Sequence, residues 1–143
     1  VMVDKAIGDA GDIDTAIITM KLSNGALAVI DNCRRSSYGY DQRLEAFGSE
    51  GQVAISNDTA SNAVLSTSDG VIAEKPLLFF LERYMQAYVN EVVDFIDAIK
   101  NDTPVSVGVD DGLAPVLIGL AAKKSLSEAR PVKIEEIKKE YAI

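Results

Sequence analysis

The sequence predicts an α+β fold, with a largely antiparallel sheet from the first half of the chain and helices from the second. Three observations carry this. Two runs rich in Ile, Val and Thr flank Asn24-Gly25, the dipeptide that best tolerates the positive φ angles of a tight hairpin turn. From Phe80 onward, apolar residues recur at spacings of three and four, the period of an amphipathic helix. The first half shows no alternation of strand and helix, so nothing there calls for a parallel sheet.

The first hairpin runs from Ile13 to Leu22 and from Ala26 to Arg35. A two-residue turn at Asn24-Gly25 sets Ser23 opposite Ala26, Leu22 opposite Leu27, Met20 opposite Val29, Ala16 opposite Cys33 and Asp14 opposite Arg35. One face then collects Ala16, Ile18, Met20 and Leu22 with Leu27, Val29 and Cys33, and reads as core. The other carries Thr15, Ile17, Thr19 and Lys21 with Ala26, Ala28, Ile30, Asn32 and Arg34. It is apolar enough to meet another subunit. A third strand is expected from Tyr40 to Phe47, turning through Gly48-Ser49-Glu50-Gly51 and returning as Gln52 to Ser56. Ala63 to Ser66 and Val71 to Glu74 form another hairpin.

In the second half, Leu81, Tyr84, Met85, Tyr88, Val92, Phe95, Ile96 and Ile99 make one stripe of a helix from Phe80 to Lys100. Asn101-Asp102-Thr103-Pro104 ends it. A second helix starts at Asp110 or Asp111, has Pro115 near its first turn and runs to Glu128. Arg130-Pro131 leads into a short strand, Val132 to Ile134. Repeats, low-complexity tracts and an interdomain linker are not evident, so residues 1–143 read as a single domain. The opening Val1-Met2-Val3, already apolar and without an initiator methionine, reads as the start of a fragment of a larger protein.

Composition narrows the function. With 48% hydrophobic and 25% charged residues, the 143-residue chain has the make-up of a globular protein long enough to enclose a core. Lys plus Arg number 14 against 22 Asp plus Glu, a net charge of −8, which argues against a nucleic-acid partner. No apolar run approaches the roughly 18 residues of a membrane span. The lone Cys33 fits a cytoplasmic, reducing setting. The sequence has no His, which removes a His-dependent triad and leaves little for a zinc or haem site.

Several candidates have plainer readings. Cys33, inward on its strand and without a His to activate it, reads as structural. Asp110-Asp111, ahead of an apolar helical run, reads as helix capping and not a metal pair. Glu135-Glu136 and Lys138-Lys139 read as a solvated face. Gly8-Asp9-Ala10-Gly11 lacks the spacing of a dinucleotide fingerprint and precedes a strand, so no cofactor-binding site is expected here.

Residues 34–43 stand apart. Arg34, Arg35, Tyr38, Tyr40, Asp41, Gln42 and Arg43 crowd hydrogen-bonding groups onto one strand-loop-strand path, with Gly39 between the tyrosines. The arginines have a structural reading, cross-strand pairing with Asp14, Asp41 and Glu45. The tyrosines, each with an apolar body and a polar tip, suit a sugar-like ligand.

Here the sequence resembles a known family. "DNCRRSSYGYDQRLEAFGSEG", "FFLERYMQAYVNEVVDFIDAI" and "TPVSVGVDDGLAPVLIGLAAKKSLSEARPVKI" resemble, in order, the C-terminal domain of the glucose-fructose oxidoreductase and inositol dehydrogenase (Gfo/Idh/MocA) family. The resemblance implies a large, mostly antiparallel open sheet with flanking helices, following a Rossmann domain that is absent here. It implies an NAD-dependent oxidoreductase acting on a CH–OH group of inositol or a related sugar. NAD would be held by the missing domain, with none expected on this fragment, which should be inactive alone. It further implies that the sheet face builds dimers or tetramers. Tyr38 matches the aromatic that reaches the polyol, and Tyr40 and Arg34 are candidates by adjacency. The family's Asp–His pair lies on a preceding helix, and the absence of His leaves no catalytic residue in this sequence. Glu74-Lys75-Pro76 repeats the letters of the family's lysine motif, but that motif precedes the tyrosine strand whereas this one follows it. Lys75 is therefore expected at the surface. The alternative to an enzyme domain is a free-standing interaction and oligomerisation module.

Overall fold

The computed structural model describes residues 4–143. The apolar opening Val1-Met2-Val3 lies outside the described residues. Contacts divide the chain into two compact units, Val1–Tyr88 and Val89–Ile143. Helices together with antiparallel strand pairs make the fold α+β, as the sequence predicts. Among the described residues, six strands hydrogen-bond as three two-stranded sheets, each a hairpin of consecutive strands.

The first unit opens with α1, Lys5–Asp9, a single turn that the sequence reading passed over. Asp4 caps it by accepting from the Ala6 N–H at 3.0 Å. Strands β1 (Thr15–Lys21) and β2 (Leu27–Cys33) follow, and their register corrects the expected one. Thr15 lies opposite Cys33, Ile18 opposite Ile30 and Lys21 opposite Leu27. The turn explains the shift. Only Gly25 has a positive φ, 90°, whereas a two-residue type I′ turn needs Asn24 there as well. The loop is instead Ser23-Asn24-Gly25, closed by Gly25 N–H to Leu22 O at 3.0 Å and Leu22 N–H to Ala26 O at 2.8 Å.

One extra loop residue exchanges the faces of β2. The better covered face carries Ala16, Ile18 and Met20 beside Ala28 and Ile30. The open face carries Ile17, Leu27 and Val29, which are 68%, 80% and 64% exposed. Cys33, expected inside, is exposed.

Strands β3 (Leu44–Gly48) and β4 (Gly51–Ile55) turn where expected. So do β5 (Val64–Thr67) and β6 (Gly70–Ala73). The expected single helix from Phe80 breaks at Tyr84, whose φ of −117° and ψ of 15° leave the helical region. Its parts are α2, Phe80–Arg83, and α3, Met85–Asn101. Two side chains are turned to other work at this break. Arg83 pairs with Asp58, and the Tyr84 ring meets Tyr40 edge-on at 6.0 Å. Tertiary contacts thus override a continuous helical period.

In the second unit, α4 (Val109–Glu128) packs on α5 (Ile134–Tyr141). Gly108, not an aspartate, is the N-cap of α4. Asp111 sits in the first turn and accepts the Gly108 N–H at 2.8 Å, so its role is still capping. The expected strand Val132 to Ile134 is a correction too: the chain enters α5 there. Ile137, 1% exposed, packs with Leu117 and Ala121, and Leu113, Leu120, Val132 and Ile134 close the cluster. Charges brace the rim. Arg130 pairs with Glu128 at 2.6 Å and with Glu136 at 2.7 Å, and Lys124 pairs with Glu140. The Glu135-Glu136 and Lys138-Lys139 stretch is the polar side of this helix.

Candidate functional site

Residues 34–43 form a loop between β2 and β3, so the expected strand starts at Leu44 and not at Tyr40. The reason lies in where its polar groups go. A strand commits its backbone to a ladder, whereas here the chain is held by side chains and by a second segment. Arg34 donates to Asp12 at 2.5 Å and Arg35 to Asp4 at 2.9 Å. These pairs replace the expected partners of Arg34 and Arg35, since an ion pair across the end of the sheet is reached more easily from the loop. The structural reading of the arginines as ion-paired groups holds.

Gly39 is the hinge pin of the loop. It is buried, has φ 147°, and a Cβ there would lie 2.6 Å from the Pro76 carbonyl oxygen. Only glycine meets both conditions without strain. The Tyr40 N–H then donates to Leu77 O at 2.9 Å, and Leu77 N–H to Asp58 O at 3.1 Å. Pro76 itself bridges to Thr59. The Glu74-Lys75-Pro76 letters therefore mark a backbone buttress, with Lys75 exposed as expected.

Asp41 gathers the loop's side chains. Its Oδ1 accepts from Arg43 Nε at 2.8 Å and from Asn57 Nδ2 at 2.6 Å. Its Oδ2 accepts from Arg43 at 2.9 Å and from the Tyr38 hydroxyl. The Asn57 carbonyl oxygen in turn accepts the Gln42 N–H at 2.7 Å, which fixes the orientation of the amide. The Asp41 side chain is only 12% exposed. Arg43 first, then Tyr38 and Asn57, hold its carboxyl well below the usual carboxylate range. Asp41 raises the Arg43 guanidinium in return.

The three predicted ligand residues fall into different settings. Tyr38 is half-exposed, at 48%, and anchored through its hydroxyl to Asp41. Tyr40 is half-buried, stacked edge-on to Tyr84, and accepts from Gln42 at 3.3 Å. Arg34 is committed to Asp12 at the end of the first hairpin. The tyrosines thus share the braced loop, while Arg34 belongs to its entry. Sequence reasoning missed Asn57, which lies after β4 and carries no local spacing signal, and it gave Asp41 no role beyond pairing with an arginine.

The loop offers binding and orientation, not proton abstraction. Asp41 is ionised with both oxygens doubly bonded to donors, so it has no lone pair to spare as a base. No group of three or more His, Cys, Asp or Glu that could hold a metal occurs among the described residues. A dinucleotide does not fit either. Gly8 lies within α1 and Gly11 in the turn before a strand, whereas a phosphate loop must open onto a helix N-terminus. No helix among the described residues is long and apolar enough to cross a membrane.

Residues 3–134 match the family described as "Oxidoreductase family, C-terminal alpha/beta domain". The chain is 47% identical over 137 residues to the myo-inositol 2-dehydrogenase of Thermotoga maritima, covering 96% of this chain and 41% of that protein. It is 27% identical over 136 residues to the scyllo-inositol 2-dehydrogenase (NAD(+)) of Bacillus subtilis, covering 92% of this chain and 38% of that one. The crystal structure of a probable dehydrogenase from Thermotoga maritima superposes with a TM-score of 0.89 at 48% identity, over 95% of this chain and 41% of that one. The chain thus spans about two fifths of the length of these relatives.

Proposed function

The chain belongs to the C-terminal alpha/beta domain family of the Gfo/Idh/MocA oxidoreductases, and from that premise we propose that it serves an NAD-dependent inositol 2-dehydrogenase as its substrate-binding and oligomerisation domain. Residues 1–143 act as one domain in this reading. The substrate class is inositol or a related sugar, since the relatives are named for both myo- and scyllo-inositol. NAD is bound by another part of the enzyme, because the glycines of this chain make no phosphate loop. The exposed, unpaired thiol of Cys33 suits a cytoplasmic location, where it stays reduced.

One observation carries the polyol reading. Tyr38 is a half-exposed phenol on a loop fixed at Gly39 and Asp41. Its ring can lie on the C–H face of a polyol while its oxygen meets a hydroxyl. Tyr40 and Arg34 flank it and are the weaker contacts. In the complete enzyme, Tyr38→Phe is expected to raise KM for the polyol by about two- to ten-fold, the worth of one neutral hydrogen bond at ~0.5–1.5 kcal/mol. Tyr38→Ala also removes the ring and has the larger effect. KM for NAD stays nearly unchanged in both. Unchanged polyol kinetics in the two variants removes Tyr38 from the site.

Oligomerisation is supported by the open face of the first hairpin, where Ile17, Leu27 and Val29 lie exposed side by side. Apolar faces of this kind usually mark interfaces. Light scattering is expected to give a dimer or tetramer, and a 15.3 kDa monomer at all concentrations counts against it. The same face favours a second reading, a free-standing interaction module that binds no polyol. A coding frame upstream of Val1 that carries a dinucleotide fingerprint supports the enzyme.

A further inference from the structure

We infer that Tyr38 meets the polyol only as a hydrogen-bond acceptor, with Asp41 as the positioning residue that fixes this polarity. The inference rests on the reading of Tyr38 as a polyol contact and adds a direction to it. A phenol has one hydrogen to give and lone pairs to receive with. The Tyr38 hydrogen goes to Asp41 Oδ2.

The alternative polarity, a carboxylic acid donating to the phenol, is closed off by the other three bonds. Arg43 donates to both oxygens and Asn57 to one, so three of the roughly four lone-pair positions of the carboxylate are filled by donors and the one left faces Tyr38. Arg43 carries a charge that favours the ionised form, and Asn57 is held with its NH2 toward Asp41 by the Gln42 N–H on its oxygen. Nothing around Asp41 rewards a proton. The loop backbone cannot swing to change partners either, because Gly39 is wedged against Pro76 and Tyr40 is bonded to Leu77.

The ligand chemistry follows. The group that Tyr38 recognises must be a hydroxyl able to donate. It is also a spectator hydroxyl, not the one oxidised. Oxidation of a carbinol to a ketone removes both the O–H and the C–H hydrogen, leaving the product oxygen with lone pairs alone. A phenol oxygen turned outward would face that carbonyl as acceptor against acceptor. Tyr38 therefore reads ring configuration at a non-reacting carbon, and its contribution belongs in KM and not in kcat.

The test uses the complete enzyme with a set of inositols carrying hydrogen or fluorine in place of one ring hydroxyl at a time. Fluorine can weakly accept but never donate. The position read by Tyr38 is the one whose deoxy penalty disappears in Tyr38→Phe. At that position the fluoro compound is expected to bind as poorly as the deoxy compound, each losing roughly two- to ten-fold in KM. Asp41→Asn is expected to raise KM for the parent polyol with kcat held, and to do so far less in the Tyr38→Phe background. If the fluoro compound binds as well as the parent hydroxyl at that position, Tyr38 donates and the polarity is overturned while the contact survives. An equal rise for Asp41→Asn in both backgrounds overturns the positioning role, making Asp41 merely structural. If no position shows dependence on Tyr38, the contact itself is wrong and the polarity goes with it. The analogue series on the unmodified enzyme needs no variant at Asp41 to fold.

Discussion

The α4–α5 pair and the loop at residues 34–43 hold their shapes by opposite means. The helices meet through Ile137, Leu117 and Ala121, which are nearly closed to solvent, with ion pairs only at the rim. The loop has little apolar burial. It is held by one glycine that fits against Pro76, one backbone bond to Leu77, and one carboxylate with four donors. Apolar packing is non-directional and absorbs small changes of shape. Hydrogen bonds to a saturated carboxylate do not, because each donor has one place to go. The first region is built to stay folded, and the second to hold a hydroxyl at one angle.

The largest effect expected from breaking this contrast is in the helices. Ile137→Ala empties the most buried site and should cost about 2–5 kcal/mol in stability, by the usual penalty for a buried aliphatic side chain. Urea unfolding of the chain measures it. A loss below about 1 kcal/mol would show that burial is not what joins the two helices.

Gly39→Ala comes next. A Cβ at φ 147° and 2.6 Å from a carbonyl oxygen adds backbone strain of about 1–3 kcal/mol. Because the strain sits in the loop, polyol affinity should fall more than global stability does. Equal polyol KM in the variant and the parent enzyme would mean that the buttress does not set the position of Tyr38.

The smallest effect sharpens the contrast at the rim. Arg130 first, and then the Lys133 N–H, lower the Glu136 carboxyl from 4.5 to about 2. A carboxylate with a depressed folded pKa stabilises fully above its unfolded value and loses that contribution as pH falls through the folded one. The rim pairing is therefore intact at neutral pH and fades between about pH 4.5 and about 2. Thermal melts of parent and Glu136→Gln should converge across that window and differ above it. Because the pair is solvent-exposed, the difference should be modest. Parallel curves at all pH values would remove Glu136 from the account.

Signals that are local in the chain were legible in the sequence. The β3–β4 and β5–β6 turns, the start of α4 near Asp110 and the exposed Lys75 all follow from a few neighbouring residues. What was not legible depends on choices made elsewhere. Asn24-Gly25 serves a two-residue and a three-residue loop equally well, so the register of β1 and β2 hung on whether Asn24 took a positive φ. The single turn of α1 is too short for a period to show. In α5, Pro131-Val132 reads as extended chain and hides the spacing of Ile134, Ile137 and Tyr141. At the candidate site, Tyr38 and Asp41 are three residues apart and visible together, but the bond between them becomes directional only through Asn57, which the fold brings from beyond β4. The break at Tyr84 likewise needs Tyr40 and Asp58, neither of which is near it in sequence.

The loop Ser23-Asn24-Gly25 also governs which face of the first hairpin is open. Tips of hairpins ordinarily absorb the gain or loss of a residue without much consequence. Here a two-residue turn at Asn24-Gly25, which takes Ser23 into β1 opposite Ala26, would slide β2 by one position. Leu27 and Val29 would then turn to the covered side, and Ala28 and Ile30 would turn outward. The choice between a two-residue and a three-residue turn would thus replace one exposed face with another without changing a strand residue, so the turn itself sets the chemistry of this surface.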